Sequence, residues 1–197
     1  MQHNQSSPIT KLLFLGLLVT GFAHGQPIGI PVPPLGAGPW TFDTAEQHKI
    51  QVSVVASGLS HPWAIAFMPD GDLLVTERPG RLRVIRDGVL DPQAISGVPE
   101  VRSEGNGGLQ DVALHPDFAE NRLVYLTYTK PMENGWGAPA LAMGRLEAGA
   151  LIDVRDLIVT EAYEGNSGLN SRIAFGGDRK LYMSTGGRIE NVAQEPM

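Results

Sequence analysis

Residues 103–129 read SEGNGGLQDVALHPDFAENRLVYLTYT, and this stretch decides the fold. Gly105, Gly107 and Gly108 stand in a short polar turn that needs a permissive backbone. Leu109–Leu114 reads as a buried strand, and residues 123–129, rich in β-branched and aromatic side chains, as a second. His115, Pro116, Asp117 and Phe118 lie between them. There proline fixes φ, and Asp117 is expected to bond back to the backbone.

The same order recurs twice. Residues 63–68 lead through Pro69, Asp70 and Gly71 into residues 73–76. Residues 172–175 lead through Gly176, Gly177 and Asp178 into Leu181–Thr185. Each copy is an apolar strand, an Asp-containing turn and a second apolar strand. The aspartates 70, 117 and 178 recur at intervals of 47 and 61 residues. Repetition at this period, with several short strands per copy, predicts an all-β chain folded as a β-propeller. The alternative is three unrelated hairpins in a sandwich.

Residues 50–197 are the expected propeller domain. The blade expected first uses residues 50–57, 63–68, 73–76 and 82–85 as its four strands. Residues 130–139 read as a loop, and residues 141–147 and 151–160 as the outer strands of the next blade. No segment keeps a helical period over three turns. At about 40–50 residues per blade the chain accommodates about three blades, the N-terminal portion of a longer ring. Residues 104–108 and 164–170 each precede the first strand of a repeat. They are therefore expected on one face, where side chains can converge on a ligand.

Two segments precede the domain. Residues 1–25 combine Lys11 with the apolar run 12–23 and the small residues Ala23 and Gly25, the pattern of a cleaved signal peptide. Export to the periplasm or the exterior follows as an expectation. Residues 26–49 form an arm rich in Pro and Gly, within which residues 26–42 are expected to hold no regular structure. With 15 basic and 21 acidic residues the chain carries a formal charge of −6. That balance, without basic runs, argues against nucleic acid and anionic membranes as partners. Zero cysteines exclude disulfides, thiolate metal sites and cysteine nucleophiles.

The motifs His61-Pro62-Trp63-Ala64-Ile65-Ala66-Phe67, Leu74-Val75-Thr76-Glu77-Arg78, Gly80-Arg81-Leu82 and above all residues 107–118 resemble the glucose/sorbosone dehydrogenases. These are soluble quinoproteins that use pyrroloquinoline quinone (PQQ). The resemblance runs from about residue 52 to residue 194 and implies a six-bladed propeller. It also implies oxidation of an aldose at its anomeric carbon, with hydride transfer to PQQ and onward transfer to an external electron acceptor. Calcium is a further family feature, whose ligands the resemblance does not place in this chain. In the family a histidine four residues before an arginine acts as general base on the sugar hydroxyl. That arginine matches Arg172, and the base position is Gly168. No catalytic residue is therefore assigned. Gly186 and Gly187 stand where a Gly-Asp pair is common, and Asn106 replaces a glutamine that faces cofactor and substrate. The 193–196 segment, Ala-Gln-Glu-Pro, keeps the family pattern. The resemblance thus implies Asn106 and Arg172 for the cofactor and Asn106 and Asn170 for the substrate.

Other residues carry weaker signals. His61 and His115 read as turn or packing residues, and His48 as exposed. Glu77 and Arg78 either face the channel or form a surface ion pair. Trp63, Phe67 and Trp136 read as core, and no spacing matches a metal site. Two further readings stand beside a dehydrogenase. One is a propeller that binds a carbohydrate without catalysis, because the base is missing. The other is a calcium-dependent lactonase, for which no carboxylate set is present.

Overall fold

The computed structural model describes residues 38–162 and 164–186. The expected signal peptide, most of the arm, Gly187 and the 193–196 segment lie outside the described residues. Two four-stranded antiparallel sheets follow one another along the chain. The first comprises β3 (Pro62–Phe67), β4 (Leu73–Glu77), β5 (Arg81–Arg86) and β6 (Val89–Leu90), in that order. The second comprises β7 (Leu109–Leu114), β8 (Leu123–Pro131), β9 (Gly137–Glu147) and β10 (Ala150–Val159). A hairpin of β11 (Ser171–Phe175) and β12 (Leu181–Thr185) opens a third. These are two blades of a β-propeller and the inner half of a third, as the repeats predict.

Three expectations change. Trp40–Phe42 forms a strand, β1, paired with β2 (Ile50–Val52), so residues 26–42 are not without regular structure. β2 accordingly lies outside the first blade, whose fourth strand is β6, turned back by Asp87 and Gly88 at positive φ. Alternation marks a strand but does not name its partner. The loop expected over 130–139 is mostly strand. β8 and β9 pair from Leu123↔Arg145 to Pro131↔Gly137, leaving a short 3-10 turn at Glu133–Gly135.

The main core fills the space between the two blades. Ala64, Ala66, Leu74, Leu82 and Val84 of the first meet Val112, Val124, Leu126, Ala140 and Leu146 of the second. The opposite face of β3 is open, with Ile65 and Phe67 exposed. Phe67 is therefore not core, and Trp136 is also exposed.

A repeated hydroxyl fastens each blade to the next. Thr76 Oγ1 accepts the Ala64 N–H at 3.0 Å and donates to the Gln110 carbonyl of the second blade at 2.5 Å. One blade on, Thr127 Oγ1 accepts the Asp111 N–H at 3.0 Å and reaches the Ser171 carbonyl at 3.4 Å. Ser184, opposite Arg172, holds the same place in the third sheet and is exposed. In both complete blades the ladder shifts register beside the threonine, between Pro62 and Ala64 and between Leu109 and Val112. The hydroxyl thus serves a strand N–H at a break in regular pairing.

The turns between inner strands also repeat, with one correction. Asp70 Oδ1 accepts the Asp72 N–H, and Asp178 Oδ1 accepts the Lys180 N–H. In the middle copy this role belongs to Asn121, which accepts the Leu123 N–H at 2.9 Å, because a helical turn, α1 (Phe118–Asn121), is inserted. The Asp117 carboxylate makes no cap and instead pairs with Arg179 of the third sheet. Beside it His115 Nδ1 accepts from the Asp117 N–H and lies 2.7 Å from Asn121 Nδ2, and its ring packs with Tyr125 and Phe175. His115 is a packing residue, as read.

Candidate functional site

The two loops expected on one face do meet there. The Asn106 N–H donates to the Asn166 carbonyl at 3.0 Å, joining residues 104–108 to residues 164–170. Glycine is required at this seam. A Cβ on Gly105 would stand 2.3 Å from the Asn166 carbonyl oxygen, and one on Gly108 would stand 2.3 Å from that of Arg78. Both also have positive φ, 54° and 135°.

Two arginines hold the first loop in place. Arg78 Nη1 donates to the Gly105 carbonyl at 2.6 Å. Arg102 Nη2 donates to Glu104 Oε2 at 2.9 Å and to Asn166 Oδ1 at 2.8 Å. Arg78 Nε and Arg102 Nη1 are buried without a hydrogen-bond partner among the described residues. Arg78 is therefore a loop-holding residue. Its neighbour Glu77 neither faces a channel nor forms a surface pair. Its side chain is 0% exposed, and its carboxylate binds the Ser60 N–H at 2.5 Å, Arg81 Nε at 2.5 Å and Arg83 Nη1 at 3.4 Å. Burial raises its pKa, but the Ser60 amide and the two guanidiniums outweigh that, and it lies below the ordinary value. Strand pairing of Glu77 with Arg81 brings the first of these cations alongside.

Asn106 has both backbone groups engaged, since its carbonyl accepts from Gln110 Nε2 at 2.9 Å. Its side chain is exposed and without a partner among the described residues. Asn170 is likewise exposed, with its carbonyl accepting the Gly186 N–H at 2.7 Å. Arg172 projects from β11. Its Nε lies 3.2 Å from Asp111 Oδ2, its guanidinium carbon 5.0 Å from the centre of the Trp63 ring, and its side chain is 65% exposed. Asp111 is buried and also accepts the Val112 and Ile173 N–H groups. One residue from each inner strand thus builds this wall: Trp63, Asp111 and Arg172. Asn170 and Arg172 line one cleft of about 220 Å³ with Ser171, Ser184, Thr185 and Gly186. Asn106 is not among its lining residues.

Gly168 lies in the second loop with φ of 74°, between the Asn166 contact and the Asn170 carbonyl. Sequence reasoning passed over Gln110, Arg102 and Asn166. Gln110 alone left a signal, a polar residue set within the buried run 109–112. His61 is an exposed turn residue with φ of 50°, and His48 is exposed. Among the described residues no three His, Cys, Asp or Glu side chains are grouped as metal ligands, and no helix is long and apolar enough to cross a membrane.

Comparison with known proteins gives one consistent result. The family model described as Glucose / Sorbosone dehydrogenase matches residues 59–197. An uncharacterised protein of Synechocystis is 41% identical over 151 residues, covering 72% of this chain and 36% of that protein. The aldose sugar dehydrogenase of Escherichia coli is 34% identical over 162 residues, covering 80% of this chain and 42% of that protein. The PQQ-bound aldose sugar dehydrogenase of Streptomyces coelicolor superposes with a TM-score of 0.58 at 28% identity, covering 68% of this chain and 40% of that one. The chain therefore spans well under half the length of these relatives.

Proposed function

Because this chain belongs to the glucose/sorbosone dehydrogenase family, we propose that it is part of an exported quinoprotein that binds PQQ and an aldose on the face carrying Asn106, Asn170 and Arg172. The observation that carries this reading is the meeting of the two loops through Asn106 and Asn166, with the exposed amides of Asn106 and Asn170 beside an Arg172 held by Asp111 and Trp63. PQQ is a planar anionic quinone, and the residues present suit its binding: the Arg172 side chain is 65% exposed while its Nε rests against Asp111. When bound, PQQ supplies the hydride acceptor. Arg172, held by Asp111 and Trp63, supplies a fixed cation for a carboxylate or carbonyl oxygen. The amides of Asn106 and Asn170 can each donate to and accept from sugar hydroxyls. The apolar run 12–23 supports export, and the reduced cofactor would pass its electrons to an external acceptor.

A second reading is favoured by one specific observation. The base position is Gly168, and its loop holds no histidine. A propeller of this kind binds the cofactor or the sugar and leaves the hydroxyl proton in place.

Titrating the purified chain with PQQ, with and without calcium, followed by dye reduction with a panel of aldoses, separates the readings. Saturable binding with turnover supports the dehydrogenase. Binding without turnover supports the binding module. No binding of PQQ or of any aldose by wild type, or binding that Arg172→Ala and Asn106→Ala leave unchanged, sinks both.

A further inference from the structure

Gln110 is 0% exposed, in a strand whose neighbours Leu109 and Val112 are core residues. Its amide works in three directions. Nε2 donates to the Asn106 carbonyl at 2.9 Å and to the Leu169 carbonyl at 2.9 Å, and Oε1 accepts from Ser171 Oγ at 2.6 Å. Both amide hydrogens are used, and the oxygen is engaged.

The identity of these partners matters. They lie in the first loop, at the end of the second loop and at the first residue of β11. Each is a candidate ligand-facing residue or its direct neighbour in the chain. Asn106 is bound itself, Leu169 precedes Asn170, and Ser171 precedes Arg172. We infer that Gln110 is the positioning residue of this site. It touches no ligand and sets the spacing of Asn106, Asn170 and Arg172 through one rigid, planar amide. The ligand part of this inference rests on the binding function proposed above.

Two features distinguish this from ordinary core packing. A buried amide costs free energy unless all its hydrogen bonds are made, so an apolar residue would serve packing better. Other contacts join the segments only in pairs. Thr129 Oγ1 reaches Gly108 and Leu169, and Arg102 reaches Glu104 and Asn166. Among the described residues Gln110 is the one side chain bonded to all three.

The test uses Q110M, which keeps length and removes the hydrogen bonds, and S171A, which frees only Oε1. V124A, deep in the core at the start of β8, is the control for lost stability alone. Amide hydrogen exchange is followed in peptides covering 104–108 and 164–170. PQQ affinity is followed by titration. Q110M is expected to speed exchange in both loops about tenfold, with V124A unchanged there. It is expected to weaken PQQ binding about tenfold, S171A about threefold and V124A less than about twofold. Unchanged loop exchange in Q110M, or equal weakening of binding by V124A, overturns the inference. If wild type fails to bind PQQ, the proposed function fails, and the exchange measurement still decides the role of Gln110. If Q110M does not fold, S171A decides by the same comparison with V124A, at the smaller effect.

Discussion

Thr76 offers a direct test of how the blades are joined. Its hydroxyl is wholly buried and bonds the Ala64 N–H of its own blade and the Gln110 carbonyl of the next. Thr76→Val preserves shape and removes both bonds. Each buried backbone group left without a partner costs about 1–3 kcal/mol. The Gln110 carbonyl has a second lone pair, which lowers its share, so the total should be about 2–4 kcal/mol. Urea unfolding of the purified chain, followed by tryptophan fluorescence, reads this as a lowered midpoint at constant slope. Thr127→Val should behave alike, since it repeats the contact one blade on. Ser184→Ala, at the exposed third copy, should change stability by less than about 0.5 kcal/mol. Thr76→Val within about 0.5 kcal/mol of wild type would refute the reasoning, because the Thr76 hydroxyl would then contribute nothing measurable to joining the blades.

Three further outcomes follow from the buried charges and tight turns. Glu77→Gln leaves Arg83 nearly buried without its anion and should cost about 3–5 kcal/mol at neutral pH. Because the folded pKa of Glu77 is depressed, its contribution is present above about pH 4.5 and is lost as pH falls through the lower folded value; urea midpoints against pH should lose that acid limb in Glu77→Gln. Tyr128 is pushed above the ordinary tyrosine value of 10.0 by burial and by donating at 2.6 Å to Asp156, whose carboxylate also holds Lys130. Its contribution is present below pH 10.0 and is lost as pH rises through the folded value, so ultraviolet titration of Tyr128→Phe should lack the last tyrosine to ionise. Gly108→Ala places a Cβ 2.3 Å from the Arg78 carbonyl oxygen at φ of 135° and should cost at least about 2 kcal/mol by thermal unfolding.

Reading the blades from sequence succeeded where the determinants are local. A strand, an Asx turn and a second strand repeat because turn chemistry sits within three residues of the strands it joins. The middle copy misled because α1 displaces the turn residue, so that Asn121 and not Asp117 matches Asp70 and Asp178. Residues 50–52 were recognisable as strand, yet their partner is Trp40–Phe42, a pairing fixed by distance in the chain and not by alternation. β6 has only two residues and no period to detect. At the site, the meeting of the two loops followed from their shared position before inner strands. The burial of Glu77 did not, because it depends on Arg83 from the next strand and on the Ser60 amide seventeen residues upstream.

Binding and proton transfer are separable on this scaffold. The side chains that cross between blades beneath the loops, Thr76, Gln110, Asp111 and Thr127, spend their polar atoms on backbone groups and on the side chains of Ser171 and Arg172. Gly168 makes none of these contacts through a side chain. Its φ of 74° is a left-handed conformation that histidine adopts more readily than most residues, at a cost of about 1–2 kcal/mol. Gly168→His should therefore fold with a modestly lower Tm and leave PQQ affinity within about twofold of wild type. If the missing base is all that separates this chain from the activity of its family, dye reduction with an aldose should rise by a factor of about 10²–10⁴, the usual contribution of a positioned general base. Unchanged turnover at full PQQ occupancy would mean that the groups acting on the sugar lie outside this loop, and that Gly168 is only one of the features in which the chain departs from its family.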